Sequence, residues 1–152
     1  MKNKIFNTDE LEKFVKSELN KSKYGKELLS NLQEFYIFTN DFQITNHKFG
    51  PFVIVYSNDT GYHKTGIGDR GEIHEDDKIY TLLDLCFSIF WDISFRLSTP
   101  PVYTVNNYSG DWRRWSFGKR LEILSSIDEV YYQMGKKKVA EILVRNPYND
   151  EL

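Results

Sequence analysis

The chain has 152 residues with 20 Lys and Arg against 22 Asp and Glu, a formal net charge of −2. A single domain of this length buries roughly two-thirds of its unfolded surface without needing disulfides or metals, and the near-neutral balance excludes a global field that would recruit nucleic acid or anionic lipid. Cys86 is the only cysteine, so an intramolecular disulfide is excluded and a reducing, cytoplasmic setting is expected. Aromatic residues are unusually abundant at 16% of the chain. Rings of this kind fill cores and anchor interfaces.

Along the chain, Asn7 and Thr8 followed by Asp9 and Glu10 give a capped, dipole-favourable helix start. Leu11, Phe14, Val15 and Leu19 then recur at helical spacing. A second helix is expected after Tyr24-Gly25, with Leu28, Leu29, Leu32 and Phe35 on one face, running out into an extended stretch over 35–39. The basic start gives way to acidic residues with no apolar run of secretory length, so no targeting segment is expected.

The period changes at Phe52-Val53-Ile54-Val55-Tyr56, a β-rich run followed by the hairpin composition Asn58-Asp59-Thr60-Gly61. Tyr62 to Thr65 should return antiparallel, Gly66 to Gly68 should bend the chain, and Arg70 to His74 should form a third short strand. From Tyr80 or Thr81 to about Leu97, apolar residues point in nearly every direction around a helix, as in a buried element. Asp84, Asp92 and Arg96 interrupt that stretch and argue against a membrane span. Pro100-Pro101 should end it, and Asn106 to Gly110 reads as a polar loop. Two further helices are expected, one through Trp115, Phe117, Leu121 and Leu124 and one from Asp128-Glu129 to a stop before Pro147, weakened at Gly135. No repeat or linker divides the chain. The expectation is one α+β domain over 1–152, with a three-stranded antiparallel meander packed against about five helices.

No chemistry announces itself. His74-Glu75-Asp76-Asp77 matches no metal-ligand spacing, and Cys86 sits among Leu82, Leu83, Phe87, Ile89 and Phe90, as a buried inert thiol does. The chain has no Gly-x-Ser-x-Gly elbow and no phosphate-binding glycine loop, so the expectation is a non-enzyme without cofactor or metal. A hydrolase with carboxylates drawn from distant segments is the least favoured alternative.

The informative stretch is Asp111-Trp112-Arg113-Arg114-Trp115-Ser116-Phe117-Gly118-Lys119-Arg120, which mixes four cations with three aromatics at a helix start. Asp111 suits the N-cap, while Arg113 and Arg114 in the first turn oppose the helix dipole unless paired. Arg and Trp together make recognition chemistry by stacking and bidentate gripping. The competing structural role is a core of Trp112, Trp115 and Phe117 with an arginine bridged to a carboxylate such as Asp69 or Glu72. A nucleic-acid module using Arg113, Arg114, Lys119 and Arg120 as phosphate contacts is the second functional reading, disfavoured by the acidic balance.

These residues resemble the immunity protein 63 family of bacterial polymorphic-toxin systems. The resemblance spans roughly Tyr62 to Asp150. Its best stretch is Asp111, Arg113, Arg114, Phe117, Lys119, Leu121 and Leu124, in an Asp-x-Arg-Arg-x-x-Phe-x-Lys-x-Leu-x-x-Leu pattern, and Asn146-Pro147-Tyr148-Asn149-Asp150 looks like the family's ending. Tyr62-His63, Asp69-Arg70-Gly71 and the helix from Leu82-Leu83 to Phe90-Trp91 follow the family's order. Trp112, Trp115 and Asn146 depart from it. The resemblance implies a cytoplasmic, non-enzymatic protein that neutralises a cognate toxin by direct contact, with Tyr62, Arg70, Arg113, Arg114 and Tyr148 as candidate contact residues.

Overall fold

A computed structural model describes residues 5–42, 51–98 and 111–149. The polar loop expected over Asn106 to Gly110 and the Pro100-Pro101 stop lie outside these residues.

The first helix, α1 (Thr8–Asn20), begins with a reciprocal capping box. Asn7 Oδ1 accepts from Glu10 N at 2.8 Å, and Glu10 Oε1 accepts from Asn7 N at 3.0 Å. Leu11, Val15 and Leu19 are fully buried, as their spacing predicts. Helix α2 (Gly25–Phe35) buries Leu28 and Leu32 and passes straight into β1 (Tyr36–Phe38).

Strand β2 (Phe52–Asn58) and strand β3 (Gly61–Ile67) form the expected hairpin, with Asn58 opposite Gly61. Asn58 Oδ1 accepts from Thr60 N at 2.9 Å, which closes the turn through a side chain. Gly61 has φ +141°, and a Cβ there would lie 2.8 Å from Ile79 Cγ2, so two constraints require glycine at that corner. The chain then turns through Gly68–Gly71, where Gly71 N donates to Gly68 O, and continues as β4 (Ile73–Glu75).

The sheet has four strands in the order β1-β2-β3-β4. Two features differ from the sequence expectation. The stretch after Phe35 is a strand in its own right, pairing parallel with β2 in the register Ile37 to Ile54, so the sheet is mixed and not a three-stranded antiparallel meander. Helical periodicity upstream says nothing about which distant strand a short extended tail will join. The third antiparallel strand also starts later than expected, which leaves Arg70 in the turn, because Gly66 continues β3 and the positive φ of +79° falls at Gly71.

Helix α3 (Leu82–Ser98) starts on Thr81, whose Oγ1 accepts from Asp84 N at 3.1 Å. Leu85, Cys86, Ile89, Phe90 and Ile93 are fully buried on one face, whereas Leu83 and Phe95 are exposed at 44% and 40%, so the helix is buried on one side and not nearly all round as its composition suggests. Helix α4 (Arg113–Ile127) and helix α5 (Glu129–Arg145) meet at Asp128, which ends the first and caps the second by accepting from Val130 N at 3.1 Å. Among the described residues there are five helices, and none is long and apolar enough to cross a membrane. The α+β class stands.

The fold comprises two compact units. The first, Met1–Glu18 with Leu29–Cys86, holds the sheet, with Phe52, Ile54 and Ile67 clustered on one sheet face beside Ile37 and Tyr56. Thr8 Oγ1 accepts from Ser57 N at 3.0 Å in this unit and donates to Asn40 Oδ1, which ties the start of α1 to β2. The second unit, Leu19–Leu28 with Phe87–Leu152, is helical, and its buried residues include Phe90, Ile93, Ile123, Leu124, Ile127 and Tyr131. Phe90 meets Tyr131 edge-on at 4.9 Å between centroids. At Gly135, the side chains of Leu124 and Leu121 lie 2.7 and 2.9 Å from where a Cβ would sit. The glycine that weakens α5 in isolation therefore lets α4 approach it closely.

Charge is divided unequally between the two units. The first carries 8 Lys and Arg against 13 Asp and Glu, net −5, and the second 12 against 9, net +3, together the −2 of the whole chain.

Candidate functional site

In the helical unit, Asp111 stands two residues ahead of α4, whose N-cap is Trp112 without a side-chain cap. The carboxylate nevertheless acts as a cap, accepting from Arg113 N at 3.0 Å. The expected role is thus kept one position earlier. The same carboxylate takes two bonds from the Arg113 guanidinium, Nη2 to Oδ2 at 2.7 Å and Nε to Oδ1 at 3.1 Å. It also accepts from Asn149 N at 2.9 Å.

Arg113 in turn donates Nη1 to Asn146 O and Nη2 to Pro147 O, both at 2.9 Å. One guanidinium thus satisfies carbonyls just beyond the end of α5 while neutralising Asp111. The cationic first turn of α4, unfavourable in isolation, is offset from within the chain. The carboxylate partner is Asp111, not Asp69 or Glu72.

Arg113 side-chain bonds, followed by the Asn149 and Arg113 amides, hold the Asp111 carboxyl well below the usual carboxylate range against the opposing effect of burial. A depressed folded value contributes stability at pH above the unfolded value and loses it as pH falls through the folded one. Stability should therefore be flat above about pH 5 and decline below about pH 4, where unfolded Asp protonates. Asp111→Asn should remove about 2 kcal/mol at pH 7, since bonds to charged groups contribute about 1.5–3 kcal/mol. Urea midpoints measured across pH check both, and the mutant's acid limb should be shallower.

Arg114 is exposed, with its guanidinium carbon 4.1 Å from the Tyr148 ring centroid, while Arg113 is at 5.5 Å from the same ring. Phe117 lies beneath, 6.3 Å from Tyr148 between centroids. The fold thus brings three candidate residues, Arg113, Arg114 and Tyr148, into one cluster. Tyr62 and Arg70 belong to the sheet unit. Tyr62 is only 5% exposed, and its hydroxyl accepts from Phe6 N at 2.9 Å, so it serves as an internal tie rather than a contact residue. Its position on an alternating strand could not reveal this, because the partner comes from the chain start. Arg70 is exposed in the turn.

Of the remaining block, Arg120 is buried at 7% exposure. Its guanidinium carbon stacks 3.5 Å from the Trp91 ring centroid, and Nη2 and Nε donate to Trp91 O at 2.6 and 2.9 Å. Burial brings its pKa down to about 10, against a smaller opposing attraction from Asp92. Lys119 Nζ donates to the Tyr24 hydroxyl at 3.0 Å, which donates on to Glu122 Oε1 at 2.6 Å. Arg113 and Arg120 therefore face inward, a distinction that four similar cations in a row do not disclose.

What α4 turns outward is Arg114, Trp115 at 39% exposure, Gly118, Glu122 and Ser125. Among the described residues, no atom beyond its chain neighbours and the adjacent backbone of its own helix lies within 4 Å of where a Gly118 Cβ would sit. Unlike Gly135, this mid-helix glycine has no described neighbour that requires it. It borders an open groove of about 790 Å³ that also involves Lys21, Lys23, Leu121 and Tyr132. Sequence reasoning passed over Gly118. A glycine inside a helical pattern, between an exposed Trp and a Leu, was the available signal.

No protein-family model matches the chain, and neither a curated protein nor a solved structure matches it.

Proposed function

We propose that this protein is a non-enzymatic immunity protein of the bacterial cytoplasm that neutralises a cognate toxin by direct contact. The observation that carries the reading is the outward stripe Arg114–Trp115–Gly118 on α4, in the unit with net positive charge. Arg and Trp dominate interface hot spots, and a bare helical glycine beside them allows a partner's backbone to approach closely. Arg113 and Tyr148 act one step behind the contact, fixing the start of α4 and stacking beneath Arg114.

The same geometry favours a protein partner over nucleic acid. Two of the four cations that would contact phosphates, Arg113 and Arg120, spend their guanidinium groups on internal carbonyls. The product of the adjacent toxin gene should co-purify with this chain, and co-expression should restore growth of cells that make the toxin. Neither binding nor protection would end the reading. Salt-sensitive oligonucleotide binding would replace it with the nucleic-acid one.

A further inference from the structure

Among the described residues, the sheet of the first unit ends in an open edge at β4. All three residues of this strand are exposed, and Ile73 is 57% accessible. The bond from Gly68 N to Glu72 O at 2.9 Å sets the phase of the β3–β4 ladder. In an antiparallel pair this bond brackets Ile67 and Ile73 as partners that do not bond each other. The Ile73 N–H and C=O therefore point away from the sheet, and by alternation so do those of Glu75, which pairs with Thr65.

Unprotected edges are ordinarily blunted with lysine, proline or a covering loop. This strand carries neither lysine nor proline, and its shortness, 3 residues, and Glu75 are what protect it. Two more apolar side chains are exposed shortly after it in the chain, Ile79 at 55% and Leu83 at 44%. The charge around it is predominantly negative: between Asp69 and Lys78 there are five carboxylates, Asp69, Glu72, Glu75, Asp76 and Asp77, against Arg70 and Lys78, although Glu72 and Asp76 also accept hydrogen bonds from within the chain.

We infer that β4 is a docking edge for an extended, cationic segment of another protein, which would add a fifth strand beside Ile73–Glu75. Main-chain bonds at a sheet edge supply affinity, and alternate side chains of the added strand supply specificity. Ile73 and Glu75 project to one face of the sheet and His74 to the other, so those side chains would be basic residues on the Glu75 face, their stems lying along Ile73, alternating with apolar ones on the His74 face. The carboxylates repel nucleic acid, and they repel a second copy of the same edge, so a different protein is the occupant the charge selects. This surface lies in the acidic unit and does not depend on the toxin-binding reading of α4.

The test uses the full 15N-labelled chain and two synthetic heptapeptides, one alternating Lys and Val and the other Glu and Val. At low salt the Lys–Val peptide should slow exchange of the Ile73 and Glu75 amides about tenfold or more, as new strand bonds do. The Glu–Val peptide should leave them unchanged. Ile73→Pro removes an outward N–H and the exposed Ile side chain but none of the bonds that face β3, and proline is tolerated on an edge strand, so it should keep the β3–β4 ladder and abolish the Glu75 response. Glu75→Lys/Asp77→Lys should weaken Lys–Val binding without altering the fold. Equal responses to both peptides, no response to either, or an undiminished response in Ile73→Pro would overturn the inference. So would Ile73 protection that rises with protein concentration in the absence of peptide, which would assign the edge to a second copy.

Discussion

Arg120→Ala is expected to destabilise the protein by about 2–4 kcal/mol, through lost packing against aromatic rings and lost charged hydrogen bonds. The guanidinium lies 3.5 Å from the Trp91 ring centroid and 4.9 Å from that of Phe95, and donates twice to the Trp91 carbonyl. Which component dominates can be separated. Burial pulls the Arg120 pKa down to about 10, so desolvation works against the charge, and packing on the rings together with the bonds to Trp91 O has to outweigh it. Arg120→Met keeps most of the volume on Trp91 and removes the charge, and should cost only about 1 kcal/mol, as replacement of buried ions by apolar groups of similar size does. Trp91 O also accepts from Ser94 Oγ at 2.9 Å, so it is not left bare in either variant. Urea unfolding of the two variants decides the matter. A Met variant as unstable as the Ala variant would show that the charged bonds, not the packing, hold these helices.

At Gly118 stability and binding should move in opposite directions. With open space where a Cβ would sit, Gly118→Ala should stabilise α4 by about 0.5–1 kcal/mol, the usual gain at an exposed helical site. Gly118→Arg should also fold, because the site is exposed, but under the proposed function it should weaken binding of the toxin by about 100-fold or more, the scale of a central hot spot. Trp115→Ala should produce a comparable loss. Thermal melts and titration calorimetry on the same preparations read both quantities. If Gly118→Arg binds as the parent does, the α4 stripe is not the contact surface, whatever the toxin does elsewhere.

Much of the architecture was legible locally. The Asn7–Glu10 capping box, the helical spacing of Leu11, Val15 and Leu19, the β-branched run at 52–56 and the hairpin residues 58–61 each encode their structure within a few positions. A turn needs its own glycine and a helix its own cap, so neighbours in sequence carry the information. The parallel pairing of Tyr36–Phe38 with β2 was not legible, because choosing a partner strand is a long-range event. The same limit applied to Tyr62, whose hydroxyl finds the amide of Phe6 across 56 positions.

The stretch Asp111 to Arg120 shows where that boundary falls. From the sequence alone, Arg113, Arg114 and Arg120 are the same side chain on one helix, and composition could say only that cations and aromatics crowd together there. Tertiary structure separates them, binding Arg113 to the carbonyls of Asn146 and Pro147, stacking Arg120 on Trp91, and leaving Arg114 on the outer face above Tyr148. It also revealed that a net charge of −2 is the sum of an acidic unit and a basic one. The sequence by itself determined the elements, their caps and turns and the α+β class, because those depend on local sterics and hydrophobic period. Which arginines face outward, which glycine stands bare and which strand edge stays open depended on segments far apart in the chain, and only their packing could decide it.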